Sequence, residues 1–146
     1  GKDLGLIAHA LSESGRYNGA LNLDYREFAK IYEYMNHLNE RYKHHCFLIM
    51  VSIDTAPGSV TYTENREYAL ACMEQAIHEK IRKVDICTRY SSMQYLIILF
   101  QPVESQIPNI MERIFMQYYK QAKSTNFLPT YKYLSMTENN MDTNQK

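Results

Sequence analysis

Tryptophan is absent from the 146 residues, glycine and proline number only five and four, and cysteine only three. So little glycine and proline excludes a collagen-like or low-complexity chain. Acidic and basic side chains balance at 16 each, so nothing suggests a broad electrostatic grip on nucleic acid or an anionic lipid surface. The longest apolar stretches, residues 46–53 and 95–100, fall far short of the roughly 18 residues a membrane span needs. With no signal-peptide pattern either, a cytoplasmic location is the expectation. Cys46, Cys72 and Cys87 lie in apolar runs without CxxC spacing, which reads as three buried reduced thiols and not as a zinc site or a disulfide. Tyrosine (13) and methionine (8) are plentiful; that fits an ordinary core under a tyrosine-rich surface and calls for no cofactor.

The length suits one domain with a real core plus short appendages. In residues 1–18, Leu4, Ile7 and Leu11 recur at helical spacing before Ser-Gly-Arg-Tyr-Asn-Gly breaks the pattern, giving a linker helix and connector. The abrupt start of that helix implies a segment upstream. Residues 19–136 form the domain, and the polar residues 137–146 read as a disordered tail. Within the domain, Asp24 caps a long helix whose stripe is Phe28, Ile31, Tyr32, Met35, Leu38 and Tyr42. Residues 46–54 then read as a strand buried on both faces. A helix over 63–82 follows, with Leu70, Met73, Ile77 and Ile81 on one side. Residues 85–90 and 93–101 form a hairpin broken at Ser91-Ser92. A helix over 105–122 carries Pro108 in its first turn and turns Ile107, Ile110, Met111, Ile114, Phe115 and Tyr118 inward. A last strand spans 130–136.

This order predicts an α/β (α+β) fold, a central sheet with helices packed on it. The hairpin pattern Asp85-Ile-x-x-Arg-Tyr, a two-residue turn, then x-x-Tyr95 and four aliphatics, resembles the signature hairpin of GGDEF (diguanylate cyclase) domains. The resemblance covers roughly residues 19–136. It implies the palm-type nucleotide cyclase fold, with a mostly antiparallel sheet, and a bacterial signalling protein.

Diguanylate cyclases join two GTP molecules with the help of two divalent cations. The family's Gly-Gly-Asp/Glu-Glu-Phe positions read here Ser91, Ser92, Met93, Gln94 and Tyr95, and the leading metal-binding aspartate of the first strand is Ser52. Only Asp54 remains of that strand motif, and a strand-ending aspartate that caps a loop is its simpler reading. Magnesium takes anionic oxygens, so a hydroxyl, a thioether and an amide leave no adequate site. Ser91-Ser92 also adds side chains where paired glycines would admit phosphates. The family's Phe-Lys becomes Ala56-Pro57, its guanine-reading residues have no counterpart over 58–66, and Glu67 falls near the last aspartate's place. The implied chain is not an enzyme and holds no metal.

What is left is recognition. Arg82-Lys-Val-Asp85 stands where the family carries its Arg-x-x-Asp inhibitory site for cyclic di-GMP, and Arg113 in Met-Glu-Arg-Ile matches the arginine that completes it. A guanidinium fork can address phosphate or the guanine O6/N7 edge, and a carboxylate can accept from guanine N1-H and N2-H. The same residues also have a purely structural reading: an arginine in a helix's last turn meets the dipole, and an aspartate before a strand satisfies free amides. His44, His45 and Cys46 are neighbours whose side chains alternate along a strand, so they do not share a metal. His37 and His44 are two helical turns apart with no obvious carboxylates beside them.

Three readings therefore stand: an inactive GGDEF-like regulatory domain that receives cyclic di-GMP through Arg82, Asp85 and Arg113; a ligand-free interaction or dimerisation module on the same fold; and an active cyclase. The resemblance implies a homodimer or a partner signalling protein, and an upstream sensor or receiver domain, which would make the chain the output end of a response regulator.

Overall fold

A computed structural model describes residues 2–15, 19–43, 45–55, 63–123 and 126–136. Helix α1 (Lys2–Ser14) leads to a short strand β1 (Leu21–Leu23), helix α2 (Tyr25–Tyr42) and strand β2 (Cys46–Thr55). Helix α3 (Thr63–Lys80), the hairpin β3 (Ile86–Ser91) and β4 (Gln94–Phe100), a 3-10 turn (Glu104–Gln106), helix α4 (Ile107–Ala122) and strand β5 (Phe127–Ser135) complete the chain. The sheet order is β1-β3-β4-β2-β5. Among these described strands only the β1–β3 pair is parallel; the other three pairs are antiparallel.

The central strands β4 and β2 are apolar on both parities because both faces are covered, at least in part. On one face, Ile49, Val51 and Ile53 of β2 and Tyr95, Ile97 and Leu99 of β4 pack against Leu70, Met73, Ile77 and Ile81 at α3 and Ile107, Met111, Ile114 and Tyr118 of α4. On the other, Phe28, Ile31, Tyr32 and Met35 of α2 meet Ile86, Ile98, Leu48 and Leu96. Asp24 caps α2 as expected, its Oδ1 accepting from the Glu27 N–H at 2.9 Å. The expected stripe fails at its end: Tyr42 is exposed, and Asn39 takes the buried position. Lys43 then closes the helix in the left-handed region, φ 57°.

The hairpin turns one residue later than expected. Ser91 ends β3, a bulge falls between Arg89 and Ser91, and Ser92 and Met93 make the turn. The Ser91 hydroxyl explains the shift, because its Oγ accepts from the Met93 N–H at 3.3 Å. β5 starts three residues earlier than the sequence suggests and includes Pro129. An edge strand tolerates a missing donor on its open side. β1 carries too few residues to signal itself.

Helix α1 packs differently from its neighbours. Leu4, Ile7 and Leu11, the residues at helical spacing, are more than half exposed, as is Leu6. No described helix is long and apolar enough to cross a membrane. The tail 137–146, the connector 16–18, His44 and the loop 56–62 lie outside the described residues.

Candidate functional site

The tip of the β3–β4 hairpin meets β2 where the strand register places Ser52 opposite Gln94. The Gln94 Nε2 donates to the Ser52 Oγ at 3.2 Å, and the Ser91 Oγ donates to the Gln94 Oε1 at 3.0 Å. The Ile53 N–H donates to the Met93 carbonyl at 2.9 Å. Both ends of the amide are thus engaged by hydroxyls, and no anionic oxygen takes part. Glu67 on α3 faces Arg89, with Oε2 4.0 Å from Nη2, while the Arg89 Nε donates to the Ser91 carbonyl at 3.2 Å. Asp54 lies exposed near the end of β2, opposite Leu128 of β5. No group of three His, Cys, Asp or Glu side chains among the described residues is placed to hold a metal.

Arg82 and Asp85 come together just past α3. The turn they bracket is closed by the Asp85 N–H, which donates to the Arg82 carbonyl at 3.0 Å. Asp85 is 1% exposed, and its carboxylate accepts four internal bonds. From Arg82 it takes the backbone N–H at 2.8 Å, Nε at 3.2 Å and Nη2 at 3.0 Å. The Phe100 N–H supplies the fourth at 2.9 Å. Arg82 Nη2 also donates to the Phe100 carbonyl. The guanidinium is therefore clamped on one side and half exposed on the other, its side chain 53% accessible. All four of these bonds to the buried Asp85 carboxylate come from Arg82 and Phe100.

Arg113 stands on α4. It lines a hollow of about 220 Å³ between α3 and α4 with Lys80, Met116, Gln117 and Lys120, and neither Arg82 nor Asp85 lines that hollow. His37, read in the sequence without carboxylate neighbours, stands between Glu33, 3.4 Å from Nε2, and Glu40, 4.0 Å from Nδ1. All three sit on the exposed side of α2.

One polar cluster escaped the sequence reading. The buried Tyr95 hydroxyl lies 3.0 Å from Glu74 Oε1 and 3.1 Å from the Leu70 carbonyl, and the Asn22 Nδ2 donates to Glu74 Oε2 at 2.7 Å. Burial, then Glu74, pushes the Tyr95 phenol up, and the same two causes push the nearby Cys87 thiol up to about 12. Glu74 opens on a hollow of about 400 Å³ lined also by Asn22, Ala71, Gln75 and His78. The signal was available: a tyrosine at an apolar core position brings a hydroxyl that needs a partner.

No protein-family model matches the chain, and no curated protein matches it in sequence. Solved structures do match in shape. A DGC protein from Thermotoga maritima superposes with a TM-score of 0.59 at 19% identity, over 75% of this chain and 79% of its own. Diguanylate cyclase SiaD from Pseudomonas aeruginosa, solved with its activator SiaC, gives 0.62 at 14% identity, over 92% of this chain and 55% of that one. The coiled coil and GGDEF domain of DgcB from Caulobacter crescentus, in complex with c-di-GMP, gives 0.62 at 12% identity, over 94% and 82%. The chain has the fold of these diguanylate cyclase GGDEF domains.

Proposed function

We propose that this chain, built on the diguanylate cyclase GGDEF fold, is a regulatory module that makes no cyclic di-GMP. One observation carries the reading: where the family resemblance puts cation-binding carboxylates, at Ser52 and at the turn positions Met93 and Gln94, a thioether stands at Met93 and the Gln94 amide bonds the Ser52 hydroxyl at 3.2 Å. A neutral hydroxyl and amide that already satisfy one another offer a magnesium ion little reason to shed its water. Purified protein incubated with GTP and magnesium or manganese is expected to yield no cyclic di-GMP. Turnover abolished by Gln94→Ala would overturn the reading.

The candidate ligand is cyclic di-GMP, with Arg82 as the contact residue, Asp85 as the residue that holds its guanidinium fork, and Arg113 as a contact from a second copy or a partner domain. The half-exposed, pre-oriented fork of Arg82 supports this, since a fixed guanidinium loses little entropy on meeting phosphate. A second reading, a ligand-free interaction or dimerisation module, is favoured by the complete internal use of the Asp85 carboxylate. Calorimetry separates the two. Heat with cyclic di-GMP that vanishes in Arg82→Ala supports the receptor; no heat, or heat unchanged in that variant, leaves the interaction module.

In either case the setting we infer is bacterial, cytoplasmic signal transduction, with an upstream sensor or receiver domain and a homodimer or partner signalling protein. A response regulator would place the receiver's phosphorylation state upstream of α1.

A further inference from the structure

Ala71, Glu74, Gln75 and His78 follow one another on α3 at intervals of three, one and three residues, so they share one face of the helix. Asn22 of β1 stands across from them, and the space between is the open hollow of about 400 Å³ at the β1 edge of the sheet. The half-buried Glu74 carboxylate takes one bond from the Tyr95 hydroxyl and one from the Asn22 amide, both neutral donors. A carboxylate has room for about four. Among the described residues, the ion pairs join His9, His37, Arg82 and Arg89 to other acids, and none includes Glu74. Its charge is felt by both buried neighbours, adding to the burial that pushes the Tyr95 phenol and the Cys87 thiol up. The other wall groups also offer acceptors. Gln75 spends its Nε2 on Glu79 Oε2 at 3.0 Å, so its carbonyl oxygen is the end left for a ligand. The Asn22 Oδ1 takes the Cys87 thiol, a weak donor, at 3.8 Å, and His78 brings a ring nitrogen.

We propose that this hollow binds an alkylammonium group, with Glu74 as its counter-ion and Asn22, Gln75 and His78 as further acceptors. The charge excludes an anion, which would meet the carboxylate head-on. A metal ion wants more than Glu74 and His78, and no group of three His, Cys, Asp or Glu among the described residues is placed to hold one. Between the two organic cations, the acceptors decide. They stand on two elements and on successive turns of α3, so they do not share a plane. A compact ammonium with three donors pointing apart suits such a set better than the flat fork of a guanidinium. The Ala71 methyl gives the ligand's carbon chain an apolar surface to lie on, and the half-buried setting of the carboxylate strengthens its attraction for a cation. The inference holds whether or not the chain binds cyclic di-GMP.

The ammonium can come from a free polyamine or from a lysine side chain, and two probes separate these sources: spermidine, and lysine capped at both ends. Each is titrated into the whole isotope-labelled chain while the Asn22 side-chain amide and the His78 ring are followed by NMR. At least one probe is expected to give saturable shifts at these two residues with a millimolar or tighter Kd. Spermidine alone would identify a free polyamine, and capped lysine alone a partner's side chain. Glu74→Gln should weaken binding about tenfold or more, and so should Ala71→Leu, which leaves the charge in place and fills the floor. Ala71 is exposed, so circular dichroism of that variant should match the native chain and its result stands even if Glu74→Gln unfolds. Glu67→Gln, another exposed acid on α3, should change nothing. No saturable shift with either probe, shifts equal in native chain and Ala71→Leu, or tighter binding of ethylguanidinium than of both ammonium probes would overturn the proposal.

Discussion

Gln94 stands directly across the sheet from Ser52 and donates its amide to the serine oxygen at 3.2 Å. The pair forms a cross-strand link where the resembling family keeps charge for cations. Replacing both, as Ser52→Asp with Gln94→Glu, sets two carboxylates opposite each other. Like charges so placed cost up to about 1 kcal/mol, a fall of about 2–4 °C in Tm for a domain of this size. Manganese is expected to restore that loss in the double variant and to leave the native Tm where it was. Thermal unfolding with chelator and with manganese checks both; a native chain that gains as much from the metal would contradict the proposal that Ser52 and Gln94 hold no cation.

The Arg82–Asp85 pair predicts an asymmetry. Removing the acid takes the carboxylate acceptor from the Phe100 N–H, the Arg82 N–H and the guanidinium at once, whereas removing the guanidinium leaves Asp85 with two backbone donors. Charge-assisted bonds are worth about 1.5–3 kcal/mol each and stranded buried groups about 1–3. Asp85→Ala is therefore expected to lose about 3 kcal/mol or more, and Arg82→Ala, half exposed and screened by solvent, about 1. Urea unfolding at neutral pH reads the difference. Equal losses would mean that the carboxylate's backbone bonds matter little.

Much of this architecture is legible in residue order. Two-parity apolar runs at 46–53 and 95–100 mark the buried strands, and Asp24 with its following stripe marks α2. Other features are not. β1 has three residues and owes its place to parallel pairing with Ile86, Cys87 and Thr88, a tertiary contact with no local pattern. Pro129 reads as a strand breaker, yet β5 takes the sheet edge and includes it. Arg82 reads as the last turn of a helix, but α3 stops at Lys80 because Asp85 pulls the Arg82 backbone into its own turn. Spacing can set Arg82, Asp85 and Arg113 in register with a known motif; it cannot tell that Asp85 is buried with its carboxylate bonded to Arg82 and Phe100, or that Arg113 lines a hollow with Lys80 and Lys120.

Tyr95 ties the sheet to α3 through one oxygen, shared between the Leu70 carbonyl and Glu74. Tyr95→Phe keeps the ring volume and removes the donor, so a loss of about 1 kcal/mol is expected. Glu74→Gln introduced on top of Tyr95→Phe should then cost less than in the native chain, because the two residues share one interaction and a double-mutant cycle exposes it. Additive losses would show that the hydroxyl relies on the Leu70 carbonyl alone.

Alkali should weaken this fold through groups that the core holds protonated, Cys87 and Tyr118 beside the Tyr95 phenol described above. Burial, then Glu74, raises the Cys87 thiol from 9.0 to about 12; burial, then Cys72 and Tyr119, raises the Tyr118 phenol from 10.0 to about 12. Both groups ionise by losing a proton, and the folded state keeps that proton longer. The unfolded chain thus binds fewer protons than the native one between about pH 9 and 12, and stability falls as pH rises through that window. Below about pH 9 the contribution is complete. Urea midpoints measured from about pH 8 to about 11.5 are expected to be level at first and then to drop. Tyr118→Phe should start lower, having lost its hydroxyl's bond to the Phe127 carbonyl at 2.8 Å, yet fall less steeply above about pH 10. Cys87→Ala should flatten the curve from about pH 9. A native profile that stays level across the whole range would mean that these groups ionise in place and are not held protonated by the core around them.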